Sequence, residues 1–105
     1  MQRIGFLLKV KQEKIEEYKV HHATVWPEML DALSRHGWRN YSLFVRPDGL
    51  IFGYFETDDL DAARAGMSKE AVNTRWQAFM APYFDIGDIQ AGKISMTLEE
   101  VFHLD

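Results

Sequence analysis

The proline at position 27 constrains this chain more than any other single residue. Upstream of it the pattern is helical: Ile15, Tyr18 and His22 fall at i, i+3 and i+7, the spacing of one inward face. Proline lacks an N–H and would cost about 3 kcal/mol or more inside that helix. The preceding Trp26 is pushed out of helical geometry as well. The spacing therefore predicts a helix from Gln12 to about Ala23, a break past His22, and a second helix with Pro27 in its first position. Met29, Leu30 and Leu33 face inward from that second helix, and Gly37 ends it as a C′ glycine. His22 is left in the last turn of the first helix, facing inward beside an irregular point. A titratable group so placed is a candidate for chemistry.

The flanking segments alternate like strands. Ile4, Phe6, Leu8 and Val10 share one face, and Gly5, Leu7 and Lys9 the other. From Trp38 to Val45, counting by twos sets Trp38, Asn40, Ser42 and Phe44 against Arg39, Tyr41, Leu43 and Val45. Arg46-Pro47-Asp48-Gly49 is a turn, so Leu50 to Glu56 closes a hairpin. Thr57-Asp58-Asp59 can cap a short helix to about Ala65, which Gly66 breaks. Ser68 then caps a longer helix, Lys69 to about Ala81, with Val72, Trp76, Phe79 and Met80 inward and Pro82 closing it. Phe84 to Lys93 reads as a loop, and Ile94 to about Phe102 as the last strand. The order β-α-β-β-α-β predicts one α+β domain, residues 1–105, of ferredoxin-like architecture with helices on one face of an antiparallel sheet. Strands one to three carry large apolar residues on both faces. A sheet-sized apolar patch exceeds what a soluble monomer usually exposes, so the pattern predicts a homodimer packed sheet to sheet, of the dimeric α/β-barrel type.

Composition removes several functions. The net charge is −4 with no basic run, which argues against nucleic acid. There are no cysteines, hence no disulfide scaffold, thiol nucleophile or thiolate metal site, a pattern compatible with the cytoplasm. The N-terminus runs directly into a strand without a signal-peptide pattern, and no apolar run approaches a membrane span. Nucleophile-elbow, P-loop and dinucleotide fingerprints are missing, and the glycines are scattered at turns. What remains is cofactor-free proton transfer, or binding alone.

If helices cover one face, His22, Tyr18, Trp76 and a strand residue can meet between helices and sheet. Tyr41 is the expected strand residue, since Trp38 and Phe44 suit the opposite, dimer-facing side. Rings with a few polar tips suit a small neutral polar ligand such as a sugar. Each choice has a plainer alternative. A lone inward histidine is more often a satisfied core residue, and Tyr18, Tyr41 and Trp76 are, taken singly, packing residues. His21 lies about 100° round the helix from His22 and is expected in solvent. His36 reads as a last-turn residue and His103 as surface. Adjacent His21 and His22 point apart, so no metal site is expected. Glu99 and Glu100 fall on opposite faces of the last strand, so one of them can reach the pocket.

Tyr18, His22 and Trp26-Pro27-Glu28 also form a spaced motif. With Glu16-Glu17, His36-Gly37, Asn40-Tyr41, Arg75-Trp76 and the closing Glu100-Val101-Phe102, the chain resembles the L-rhamnose mutarotase family over nearly its whole length. The resemblance implies a dimeric ferredoxin-like enzyme that interconverts the α and β anomers of a deoxy sugar without a cofactor. It implies that His22 is the proton donor and that Tyr18, Tyr41 and Trp76 contact the sugar. The family often has a second tryptophan after that one; here Gln77 stands there, also a sugar contact by position. An amide for an indole trades stacking for a hydrogen bond, which bears on the choice between L-rhamnose and a relative such as L-fucose more than on the reaction. The base that takes the anomeric proton stays open between water, Tyr41 and a strand carboxylate. The shared scaffold also allows a ligand-binding module, a cofactor-independent monooxygenase, or a structural dimer with no site.

Overall fold

The computed structural model describes residues 1–85 and 96–105. Four strands, β1 (Gln2–Lys9), β2 (Arg39–Val45), β3 (Leu50–Thr57) and β4 (Met96–Leu98), form one antiparallel sheet in the order β2-β3-β1-β4. The connections are α1 (Ile15–Ala23) with α2 (Pro27–Arg35), and α3 (Leu60–Ser68) with α4 (Ala71–Met80). This is the α+β arrangement expected from the sequence, with each helical connection broken in two. None of the described helices is long and apolar enough to cross a membrane.

The alternation in β1 decides which face is covered. Ile4, Phe6 and Val10 are buried beneath the helices, where Ile51 and Phe55 of β3 join them. Met29 and Ala32 of α2, Met67 of α3, and Val72, Trp76 and Met80 of α4 close the core from above. The break between α1 and α2 falls where Pro27 requires it. Pro27 opens α2, and Trp26 before it is extended, at φ −54° and ψ 132°. At the far end of α2, Gly37 takes φ +83°, the left-handed cap conformation that glycine adopts without strain.

Several expectations are corrected. Gly66 does not break α3, which runs on to Ser68. A Cβ at Gly66 would lie 2.1 Å from His36 Nδ1, so this glycine serves close helix packing. Ser68 belongs to α3, with its hydroxyl bonded to the Ala65 carbonyl, and Glu70 precedes α4. Phe79 and Leu30 sit at the rim of the core rather than within it, 38% and 51% exposed. The last strand is short: Leu98 ends it, and residues 99–105 are not in a strand. Of the predicted 84–93 loop, Phe84 bridges to Val10 and the Asp85 amide bonds the Lys9 carbonyl. Residues 86–93, and the expected strand start at 94–95, lie outside the described residues.

The correction that matters most for the site lies in β2. Arg39 pairs with Glu56 but Ser42 with Tyr54, so one extra residue sits between them. Asn40 takes it up at φ 49°. Such a bulge reverses the alternation. Tyr41, Leu43 and Val45 keep the face predicted for them, but Trp38 joins them, stacked on Phe55 at 3.9 Å. Only Phe44 of the predicted outer pair points away from the helices, 61% exposed.

Candidate active site

Between the helices and the inner face of the sheet lies a cavity of about 520 Å³. It continues into a second of about 580 Å³ that shares its central wall. His22, Tyr41, Trp76 and Gln77 line both, and Tyr18 lines the second. The sequence-predicted residues thus come together from α1, β2 and α4.

Local geometry holds each of them. His22 and Tyr18 are one helical turn apart and their rings stack, with centroids 4.0 Å apart. The α1 helix ends at Ala23, so the imidazole stands at its open edge. His22 Nδ1 lies 3.0 Å from the Tyr18 carbonyl oxygen. A carbonyl only accepts, so Nδ1 carries the proton and the neutral ring keeps its lone pair on Nε2. Trp76 meets His22 edge-on at 5.5 Å and is braced in turn by Trp26 at 5.0 Å. The break residue therefore braces the wall from behind without lining it. Tyr41 is set among Trp38, Phe55 and Phe6, at centroid distances of 5.3, 5.8 and 6.2 Å.

The electrostatics follow from this apolar setting. Burial lowers the His22 pKa below its ordinary 6.5; the bond to the Tyr18 carbonyl works against that, and neighbouring His21 adds to it. His22 is therefore neutral at pH 7. Burial raises Tyr18 far above the ordinary phenol value, and the Tyr41 hydroxyl pushes the same way. Burial also pushes Tyr41 up to about 12, although 38% of its surface remains open. Both phenols stay protonated and act as hydrogen-bond donors. Neither hydroxyl bonds another protein group among the described residues.

Other sequence expectations fare differently. His21 is not simply solvated: its Nε2 lies 2.9 Å from the Tyr83 hydroxyl, and its ring meets Phe79 edge-on. His36 is bound to Glu70 at 2.8 Å, which ties the end of α2 to the start of α4. His103 bonds Asp105. Neither Glu99 nor Glu100 reaches the cavity. Both border a groove on the outer face of the sheet, where Glu100 pairs with Arg3 at 2.7 Å. No carboxylate lines the cavity among the described residues. The described residues contain no cluster of three or more His, Asp or Glu arranged to hold a metal ion.

The structure adds wall residues that the sequence reading missed: Trp38, Arg64 and Asn73. Asn73 was findable, since with Trp76, Gln77 and Met80 it falls at i, i+3, i+4 and i+7 of one helix. Trp38 was hidden by the bulge. Arg64 gave no signal, because α3 reaches the cavity only through tertiary packing.

The family model for L-rhamnose mutarotase matches residues 3–104 of the chain. Among curated proteins, the L-rhamnose mutarotase of Oceanobacillus iheyensis is 36% identical and that of Bacillus subtilis 38% identical, each over 100% of both chains. Among solved structures, the L-rhamnose mutarotase of Formosa agariphila superposes with a TM-score of 0.84 over 100% of both chains at 24% identity. At that identity the superposition speaks for the ferredoxin-like fold alone.

Proposed function

Because this chain belongs to the L-rhamnose mutarotase family, we propose that it interconverts the α and β anomers of L-rhamnose, with His22 carrying the proton. The observation that supports this most directly is an imidazole at the cavity wall whose Nδ1 is committed to a backbone carbonyl. Mutarotation removes the proton from the anomeric hydroxyl, breaks the bond from C1 to the ring oxygen, and protonates that oxygen. The open aldehyde turns about C1–C2 and recloses on its other face. Neutral His22 takes the anomeric proton at Nε2, and the resulting imidazolium gives it to the ring oxygen. Both oxygens are bonded to C1, so one nitrogen serves them in turn. This makes His22 base as well as donor. No carboxylate lines the cavity among the described residues, and Tyr41, with its pKa near 12, holds its own proton too firmly to be the base at neutral pH. Tyr18 and Tyr41 donate hydrogen bonds to the sugar oxygens, Trp76 stacks on its C–H face, and Gln77 bonds a hydroxyl.

Exchange between the anomeric proton signals of equilibrated L-rhamnose, followed by NMR, tests this reading. The protein should speed exchange, and His22→Ala should lose about 10²- to 10⁴-fold of that, the usual worth of a positioned acid–base group. Exchange at the buffer rate with native protein would overturn the reading. L-Fucose run in parallel tests the nearest alternative sugar. No observation favours a monooxygenase or a site-less structural dimer.

The same reading includes a homodimer. The outer sheet face carries Phe44, Phe52 and Leu98, which are 61%, 40% and 36% exposed, and the tail adds Val101, Phe102 and Leu104, all largely exposed. A second copy is the occupant that buries such a face symmetrically. The reading also includes work in the cytoplasm, since a cysteine-free chain needs no oxidising compartment to fold.

A further inference from the structure

Beside Trp76 on α4 the cavity wall turns polar, and its hydrogen bonds run in one direction. Asn73 Nδ2 donates to the Met67 carbonyl oxygen at 3.0 Å. A carbonyl cannot donate, so this bond fixes which end of the Asn73 amide is nitrogen. Its Oδ1 must then face Gln77, and it accepts from Gln77 Nε2 at 3.1 Å. Gln77 is fixed in turn: its carbonyl oxygen is left without a protein partner among the described residues. Arg64, which lines the same two cavities, spends one guanidinium nitrogen on the Thr97 hydroxyl at 2.7 Å, and among the described residues its other N–H groups have no protein partner.

We infer that Asn73 is a positioning residue that orients Gln77, so that Gln77 and Arg64 together form a subsite for one sugar hydroxyl. The hydroxyl donates to the Gln77 carbonyl oxygen and accepts from the Arg64 guanidinium. An acceptor and a donor on one wall match the two-way bonding of a hydroxyl, which a hydrocarbon substituent lacks. A turned amide would set N–H groups against a guanidinium and lose that match. The inference rests on reading the cavity as a sugar site, and it adds Asn73 and Arg64 as determinants of which sugar is held.

The test measures KM and kcat for L-rhamnose anomer exchange in Asn73→Ala, Gln77→Leu and the double variant. Each single change should raise KM about three- to tenfold, the worth of one hydrogen bond, with kcat within about twofold of native. The double variant should match Gln77→Leu alone, because Asn73 acts through Gln77. Unchanged KM in Asn73→Ala, or effects that multiply in the double variant, would overturn the inference. Should Asn73→Ala fail to fold, the side-chain amide NMR signals of Gln77 in native protein decide the matter during an L-rhamnose titration. A saturable shift supports the subsite, and unmoved signals overturn it. Saturable shifts without accelerated exchange would sink the proposed reaction and leave the subsite standing; accelerated exchange with unmoved signals would do the reverse.

Discussion

The chemistry proposed for His22 rests on three neighbours. The Tyr18 carbonyl selects its tautomer, burial keeps it neutral, and Trp76 holds its edge. The pH dependence follows with a definite sign. In the proposed mechanism the neutral ring is the reactive form; its pKa lies below 6.5, so kcat/KM should stay level through neutrality and fall on acidification with a midpoint under 6.5. A midpoint at or above 6.5 in the anomer-exchange rate would contradict this assignment. Stability moves in the same direction. The unfolded imidazole binds its proton first, so this group's contribution is full above 6.5 and is lost as pH falls through the folded value. His22→Ala should remove that slope from urea-unfolding measurements. At this scale the sequence was readable where spacing alone places a side chain, as for Tyr18 and His22. It was silent on the carbonyl that orients the ring, because backbone acceptors leave no letter.

Elements are set by how closely they approach one another, and Gly66 is the clearest case. His36 is held against it by Glu70, whose carboxyl Arg35 and then His36 keep below the usual range. A methyl group at position 66 must displace that ring. Gly66→Ala gains up to about 1 kcal/mol of helix propensity but overpacks a fixed contact, at a cost of about 1–3 kcal/mol. The net expectation is destabilisation in urea unfolding. In a His36→Ala background the same change should become neutral or stabilising, and persistent destabilisation there would rule out the contact as its cause. The sequence suggested a helix break at Gly66 because glycine is ambiguous between ending a helix and admitting a neighbour. Only the packing of α2 on α3 separates these. Pro27 has no such ambiguity, and the break it predicted is where the structure has it. Strand parity failed at Asn40 for a related reason: a bulge is one residue long and cancels every count that crosses it.

On the proposed reading the molecule divides its sheet between two tasks, with the cavity on one face and a bare apolar surface on the other. In the proposed dimer, Phe52→Lys should shift light-scattering mass from two copies toward one while leaving the inner face of the sheet intact, because Phe52 points away from the cavity. An unchanged two-copy mass would remove this face from consideration as the interface. Both tasks are written along β2 in alternate letters. Past Asn40, Tyr41 and Leu43 address the cavity, and Ser42 and Phe44 address the outside. Trp38, on the near side of the bulge, also addresses the cavity only because the extra residue resets the frame. Remove that residue and either the indole or the phenol must turn outward. Substitution can retune either message on this strand, but insertion or deletion garbles one of them, so its length is locked while its letters stay free.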